Sequence, residues 1–255
     1  MFIDAHAHLL KEEYGSELDK VIKNSKEALL AVNNIAYNME TSEEVVLLSD
    51  RYSLLCSVGV HPYEIDKFDD ASIEKLKTLA ANRRVIAIGE IGLDYFRNIT
   101  AFPLQRKAFE RQLLLAKSLN MPFMVHSRNA FKDTIAIIKN INYFNGVFHS
   151  FDYGKKEAEE IINLGMYISF SGMLTFKKRE NLRDVAKAVP IDRVLFETDA
   201  PYLAPVPMRG RKNLPIFVKY VYNTFAELRN MELEELQVKI ANNFRRAFPK
   251  SKNFI

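Results

Sequence analysis

Eight short runs rich in β-branched and aromatic residues, each followed by a longer stretch of different periodicity, constrain this chain more than any other feature. The runs are FIDAHAHL, LLAVNNIAY, LLCSVGV, RVIAIGEIG, PFMVHS, GVFHSF, MYISFS and RVLFETD. Strands that alternate with helical crossovers build a parallel sheet. Eight such units in 255 residues predict an α/β fold, a (β/α)8 TIM barrel forming a single domain over residues 1–255. A doubly wound open sheet is the rival, but it usually has fewer strands, and no GxGxxG follows the first run. Among the helical stretches, PLQRKAFERQLLLAKSLN sets Leu104, Ala108, Leu115 and Leu119 near one face, and TSEEVVLLSD predicts an N-cap at Thr41 or Ser42. The Pro- and Gly-containing stretch Asp199–Pro215 reads as a long functional loop, and Met231–Phe248 as a C-terminal helix covering the barrel.

The unusual residues follow the same frame. The five histidines, His6, His8, His61, His126 and His149, fall at or just beyond the ends of predicted strands. Glu90 ends VIAIGE and Asp199 ends VLFETD. The C-terminal ends of all strands of a barrel meet at one mouth, so residues far apart in sequence converge there. Strand alternation predicts that Asp4, His6 and His8 face the interior, while Ile3, Ala5, Ala7 and Leu9 pack on helices. Imidazoles and carboxylates in a dry mouth are costly when unpaired. A metal ion removes that cost, because neutral imidazole and ionised carboxylate are both good ligands. Four histidines, a Glu and an Asp exceed the needs of one ion. A carboxylate such as Glu90 can bridge two ions about 3.5–4 Å apart, the usual clamp for hydrolysis.

Composition narrows the setting. Charged residues make up 27% and apolar residues 48%, the balance of an ordinary soluble globule. A net charge of +4 is too small by itself to indicate a nucleic-acid partner. Cys56 is the only cysteine, which excludes an intrachain disulfide and suits a reducing compartment. No apolar run approaches the ~20 residues needed to cross a bilayer. The apolar start is interrupted by Asp4, His6 and His8, unlike a signal peptide. A cytoplasmic protein with no membrane partner is expected, a monomer with no obligate protein partner.

The ordered series DAHAHL, SVGVHP, IAIGEIGLDY, MPFMVHSR, FHSF, YISFSGMLTF, FETDAPYLAP, RGRKN and ANNFRRAF resembles the TatD family of metal-dependent deoxyribonucleases, among the amidohydrolase-like barrels. The likeness runs from Phe2 to about Phe248. It implies that His6, His8 and Asp199 bind one metal, and that Glu90 bridges to a second held by His126 and His149. It implies further that His61 contacts a substrate phosphate rather than a metal, that Arg128 binds phosphate, and that Asp199 takes the proton of the attacking water. The implied cofactors are two divalent ions, Mg²⁺, Mn²⁺ or Zn²⁺. The implied reaction is hydrolysis of DNA phosphodiesters from an end. Two positions depart from the family pattern: Ser150 stands where Cys is common, and Leu214 where Glu is usual.

Catalytic roles thus fall to Asp199, Glu90 and His61. For the substrate, basic residues on the active-site face can hold a DNA backbone without reading sequence. Arg209, Arg211 and Lys212 after the eighth run, and Lys177, Lys178 and Arg179 after the seventh, are expected there. Tyr95, Phe96 and Tyr202 are candidates to stack on bases at a single-stranded end. The alternative is a hydrolase of a small phosphoester, amide or lactone on the same barrel. Many amidohydrolase barrels bridge their metals with a modified lysine, whereas Glu90 holds that place here, which favours phosphoesters by analogy.

Overall fold

A computed structural model describes residues 1–97 and 99–255. Eight parallel strands follow one another around the sheet in sequence order: β1 (Phe2–Ala7), β2 (Leu29–Ile35), β3 (Leu55–Val58), β4 (Val85–Asp94), β5 (Phe123–Arg128), β6 (Gly146–Phe148), β7 (Tyr167–Phe170) and β8 (Val194–Phe196). Just past β8, the segment Asp199–Ala200 returns to β1. The Asp199 amide donates to the His6 carbonyl (2.9 Å), and the His8 amide to that of Ala200 (2.7 Å). The sheet is thereby nearly closed into the expected (β/α)8 barrel.

The helices are α1 (Lys11–Tyr14), α2 (Leu18–Ala28), α3 (Met39–Tyr52), α4 (Asp70–Ala80), α5 (Phe102–Ser118), α6 (Phe131–Ile141), α7 (Lys155–Asn163), α8 (Glu180–Ala188), α9 (Val218–Arg229) and α10 (Leu233–Ala247). Two buried clusters separate the inside of the barrel from the layer between strands and helices. The inner one takes residues from every strand, including Ile3, Ile35, Leu55, Ile86, Met124, Val147, Tyr167 and Leu195, and joins them to Phe244 and Phe248 at the end of α10. All of these strand residues but Ile35 lie near the strand starts, so α10 closes the N-terminal end and leaves the C-terminal end open. The outer cluster contains Phe123, Phe148, Phe170 and Phe196 with residues of the surrounding helices. No helix of the described residues is long and apolar enough to cross a membrane.

Three local expectations are corrected. The N-cap of α3 is Asn38, not Thr41 or Ser42. Asn38 accepts from the Thr41 amide (2.8 Å) while the Thr41 hydroxyl accepts from the Asn38 amide (2.9 Å). Thr41 is the reciprocal partner one turn in, which local sequence alone does not separate from a cap. Leu104 of α5 is half exposed. The buried face of that helix keeps the expected Ala108 and Leu115 and adds Gln105, Phe109, Gln112, Leu113 and Ala116, its two glutamines bonding backbone at or just beyond strand ends. Gln112 accepts from the Val60 amide (2.8 Å) and donates to the Val60 carbonyl (2.9 Å). Gln105 does the same for Asp94 (2.8 and 3.0 Å).

The third correction concerns β1. Ile3 and Ala5 lie in the inner cluster and Ala7 and Leu9 in the outer one, so strict alternation fails. A register shift of β1 against β2 between Asp4 and Ala7 accounts for it. Asp4 is not grouped with the histidines. It accepts from the Thr198 amide (2.9 Å) and hydroxyl (2.5 Å) and from the His6 amide (3.2 Å), pinning the β1–β8 seam.

Candidate metal centre

Glu90 does not end its strand: β4 continues four residues further, to Asp94. The reason is a crossing of chains. A Cβ on Gly59 would stand 2.9 Å from the Gly89 carbonyl carbon, so bare backbone lets β4 pass close to the end of β3. The Glu90 amide then donates to the Ala36 carbonyl beyond β2 (3.1 Å). On the other flank Gly92, at φ 144°, meets β5 so closely that a Cβ would sit 1.9 Å from the His126 carbonyl oxygen. No side chain fits there. Together these contacts carry the Glu90 carboxylate into the mouth, where it is 4% exposed.

Two groups of donor atoms meet on its two oxygens. Around Oε2 lie His6 Nε2 (3.5 Å) and His8 Nε2 (3.6 Å), which are 3.1 Å apart and each within 3.5–3.6 Å of Asp199 Oδ1. Around Oε1 lie His126 Nδ1 (2.9 Å) and His149 Nε2 (2.8 Å), themselves 3.2 Å apart. His6 and His149 stack with ring centres 4.1 Å apart, holding the two groups side by side.

The other ring nitrogens fix which atoms point inward. A carbonyl only accepts, so His8 Nδ1 carries the proton donated to Ile35 (2.9 Å). His149 Nδ1 likewise donates to Glu197 Oε1 (3.1 Å), and His126 Nε2 to Asp94 Oδ2 (3.0 Å). In the neutral rings the opposite nitrogens are then lone pairs aimed at carboxylate oxygens. Acceptor facing acceptor at 2.8–2.9 Å calls for a proton on each ring or a metal cation shared by these atoms. Ligand bonds of about 2.1 Å give ligand-to-ligand edges of about 3.0–3.4 Å in octahedral or tetrahedral sites. Both groups have edges of that order, so both could hold a metal ion. The backing of His8, His126 and His149 by a carboxylate or carbonyl is the arrangement that orients metal-binding imidazoles, whereas His6 Nδ1 has no such partner.

The protonation equilibria express the same demand. Burial pushes the His149 imidazolium towards neutrality, but Glu90 and Glu197 outweigh it and hold its pKa well above the usual value. Burial would raise the Glu90 pKa, yet His149, His61 and the bonds from His126 and His149 keep the carboxyl well below its ordinary range. Burial likewise opposes ionisation of Asp199, and His8 and His6 overcome it. His61 differs. Its Nδ1 accepts from the Tyr63 amide (3.1 Å), so Nε2 carries the proton, 3.6 Å from Glu90 Oε1. Burial lowers its pKa to about 3. His61 is therefore a neutral N–H donor at the edge of the centre in this arrangement, although its ring also lies close enough to Glu90 and His126 for the three to form a group that could hold an ion.

The centre lies in a cleft of about 500 Å³ at the barrel mouth. His61 and Arg128 line it, as expected, and so do Arg97, Arg179 and Tyr202. Lys177, Lys178, Arg209, Arg211 and Lys212, expected on this face, are not among the lining residues. Asn213 ties back the loop of Arg209, Arg211 and Lys212, donating to the Thr198 (2.9 Å) and Tyr202 (2.6 Å) carbonyls. Lys212 then donates to the Glu13 carbonyl, while Arg209 stacks on Phe176 at 4.1 Å. Tyr95 is also turned away, bonded to Asp133 (2.7 Å) and stacked on Phe102. Phe96 stays 58% exposed beneath the Arg128 guanidinium, 4.0 Å from its ring centre.

Glu197, Gln105, Gln112 and the Ile35 carbonyl escaped the sequence analysis as parts of this site. Glu197 left one signal, its alternation with Asp199 on the eighth run. The glutamines left none, since helical periodicity does not distinguish a buried glutamine from a solvated one. Ser150, at the position where cysteine was expected, donates its amide to Glu197 (2.8 Å) and shares a hydroxyl contact with Ser171 (2.9 Å).

Known proteins resemble this chain over nearly its whole length. The profile of the TatD-related DNase family matches residues 3–249. The chain is 34% identical over 252 residues to an uncharacterized metal-dependent hydrolase, YabD, of Bacillus subtilis, covering 97% of this chain and 99% of that protein. It is 32% identical to a protein of Pantoea vagans named 3'-5' ssDNA/RNA exonuclease TatD, covering 96% and 98%. The crystal structure of YJJV, a TatD homolog from Escherichia coli K12, superimposes with a TM-score of 0.91 at 29% identity, covering 97% and 98%.

Proposed function

The chain belongs to the TatD-related DNase family of metal-dependent hydrolases, and on that premise we propose that it hydrolyses phosphodiester bonds of DNA, working from single-stranded ends with two divalent ions. The observation that carries this reading is the Glu90 carboxylate, whose two oxygens face separate donor groups at 2.8–3.6 Å. His6, His8 and Asp199 would hold one ion, His126 and His149 the other, with Glu90 common to both. Bound there, a pair of divalent ions supplies an activated water, charge neutralisation at phosphorus and a stabilised leaving oxygen.

The chain's own groups do the rest. Asp199, on the first donor group, takes the proton of the attacking water. His61 donates its Nε2 proton to a non-bridging phosphate oxygen. Being neutral, it does so without a charge that would compete with the ions. Asp94, Glu197 and the Ile35 carbonyl keep the rings of His126, His149 and His8 in one tautomer and one orientation. Arg128, with Arg97 and Arg179 on the same cleft, holds neighbouring phosphates without reading bases. Arg97 and Arg128, which form no salt bridge among the described residues, favour a phosphate backbone over a small amide or lactone, while Arg179 is paired with Asp152 (2.8 Å). The name of the Pantoea relative points the same way.

The test incubates metal-loaded protein with end-labelled single-stranded DNA beside Glu90→Gln and His126→Ala. Stepwise shortening by the unsubstituted protein alone is expected. Equal digestion by all three overturns the assigned centre.

A further inference from the structure

The mouth of the barrel is divided by charge. The segments after β1, β2 and β3 bring Glu12, Glu13, Glu40, Glu64 and Asp66 to the rim. Those at or after β4, β5 and β7 bring Arg97, Arg128 and Arg179, of which Arg179 is paired with Asp152 (2.8 Å) and Arg97 and Arg128 form no salt bridge among the described residues. Strand order runs unbroken around the sheet, so this is a division in space: one arc is acidic and the opposite arc basic. The carboxylates of the acidic arc lie within reach of one another. Burial first, then Glu13, Glu44, Glu64 and Glu40, raise the Glu12 pKa. Among the described residues, Glu12, Glu40, Glu64 and Asp66 form no salt bridge that would neutralise them.

Shape does not close the acidic side. A second depression of about 400 Å³ shares Tyr63 and Glu64 with the main cleft and continues outward past Glu40, Asp66 and Phe68. A chain lying over the centre has room to run on through it. Its walls carry three carboxylates, Glu40, Glu64 and Asp66, against one ammonium, Lys67. A phosphate following that path would meet net negative charge within a Debye length, about 10 Å at 0.1 M salt. On the basic arc it meets guanidinium groups.

We propose that this acidic groove is the end-selecting element: it repels a backbone that continues past the centre, so only a strand terminating there is seated. The inference rests on the nuclease reading and deepens it, because selection of ends becomes electrostatic rather than steric. It follows that the strand body leaves over Arg97, Arg128 and Arg179, and that replacing the carboxylates by cations admits an internal phosphodiester.

The experiment compares a linear single-stranded DNA with a covalently closed circle of the same sequence. The proteins are the unsubstituted chain, the charge-reversed Glu40→Lys/Glu64→Lys/Asp66→Lys variant and the neutral Glu40→Gln/Glu64→Gln/Asp66→Asn variant. The ratio of circle to linear cleavage is expected to rise about tenfold or more on charge reversal, the lower end of electrostatic steering effects, with the neutral variant between. Fluorescence anisotropy with the metal chelated reads binding of the same two DNAs. The unsubstituted protein is expected to favour the linear form and the reversed variant to lose that preference. A variant that melts like the parent and still discriminates against the circle as strongly overturns the proposal. So does a parent that binds both forms equally. A parent that cleaves neither DNA sinks the nuclease reading, and the binding comparison then still decides the groove.

Discussion

At the scale of single residues, the centre depends on which nitrogen of each imidazole is free. His8, His126 and His149 each commit one ring nitrogen to Ile35, Asp94 or Glu197 at 2.9–3.1 Å, and the other is left inward. His61 differs: its Nδ1 accepts from the Tyr63 amide, which leaves its Nε2 as a donor. The partner of a metal-binding imidazole typically governs affinity by 10–100-fold, roughly. Glu197→Gln should therefore weaken divalent-ion binding by about that factor in a calorimetric titration, with little change in the far-ultraviolet spectrum. Unchanged affinity would mean that Glu197 does not orient His149. Asp199 sits at φ 57°, a left-handed conformation that Asp and Asn tolerate better than β-branched residues. Asp199→Asn is expected to remain folded, whereas Asp199→Val adds backbone strain and should melt lower.

At the scale of elements, the surrounding helices position the mouth through their buried polar groups as much as through their apolar faces. Gln112 satisfies both backbone groups of Val60, the residue before His61. Gln112→Leu strips a buried amide and carbonyl of their partner, at a cost of about 1–3 kcal/mol for each group left unsatisfied. It should lower the urea midpoint and reduce activity through His61. Gly92 admits no Cβ beside the His126 carbonyl, so Gly92→Ala is expected to separate β4 from β5 and abolish soluble expression. The cap of α4 carries a pH signature. Asp69 accepts from the Ser72 amide (2.8 Å), and that bond holds its pKa below the ordinary 3.8. A depressed carboxyl stabilises fully above its unfolded pKa and loses this as pH falls through the folded value. Asp69→Ala should therefore lower the melting temperature at pH 6. The difference should shrink below about pH 3.8, while Asp69→Asn keeps the cap throughout.

At the scale of the whole molecule, the barrel is closed at one end and open at the other. Phe244 of α10 is wholly buried against residues at the strand starts. Phe244→Ala should cost about 3–5 kcal/mol by the usual loss for a buried aromatic, read as a fall in urea stability. The divalent-ion affinity of the protein that remains folded should change little, because the donor atoms lie at the other end. The eight strands, their order and the covering helix were legible in the sequence, since hydrophobic periodicity and run length survive without tertiary information. The groups facing the histidines were less so. Glu197 is one carboxylate among many, and Ile35 contributes only a carbonyl that every residue possesses.

The sequence by itself determined the alternation of eight strands with helices, and with it the convergence of His6, His8, Glu90, His126, His149 and Asp199 on one mouth, because chain order and strand direction leave those residues nowhere else to meet. Only the tertiary structure decided that Asp4 leaves that set, that Glu90 crosses towards β2, and that Lys212 turns from the cleft to α1. Each of these outcomes depends on a register shift, a close approach of two backbones or a loop asparagine bonded to backbone at the end of the eighth strand. Such contacts join residues whose separation along the chain gives local pattern nothing to act on.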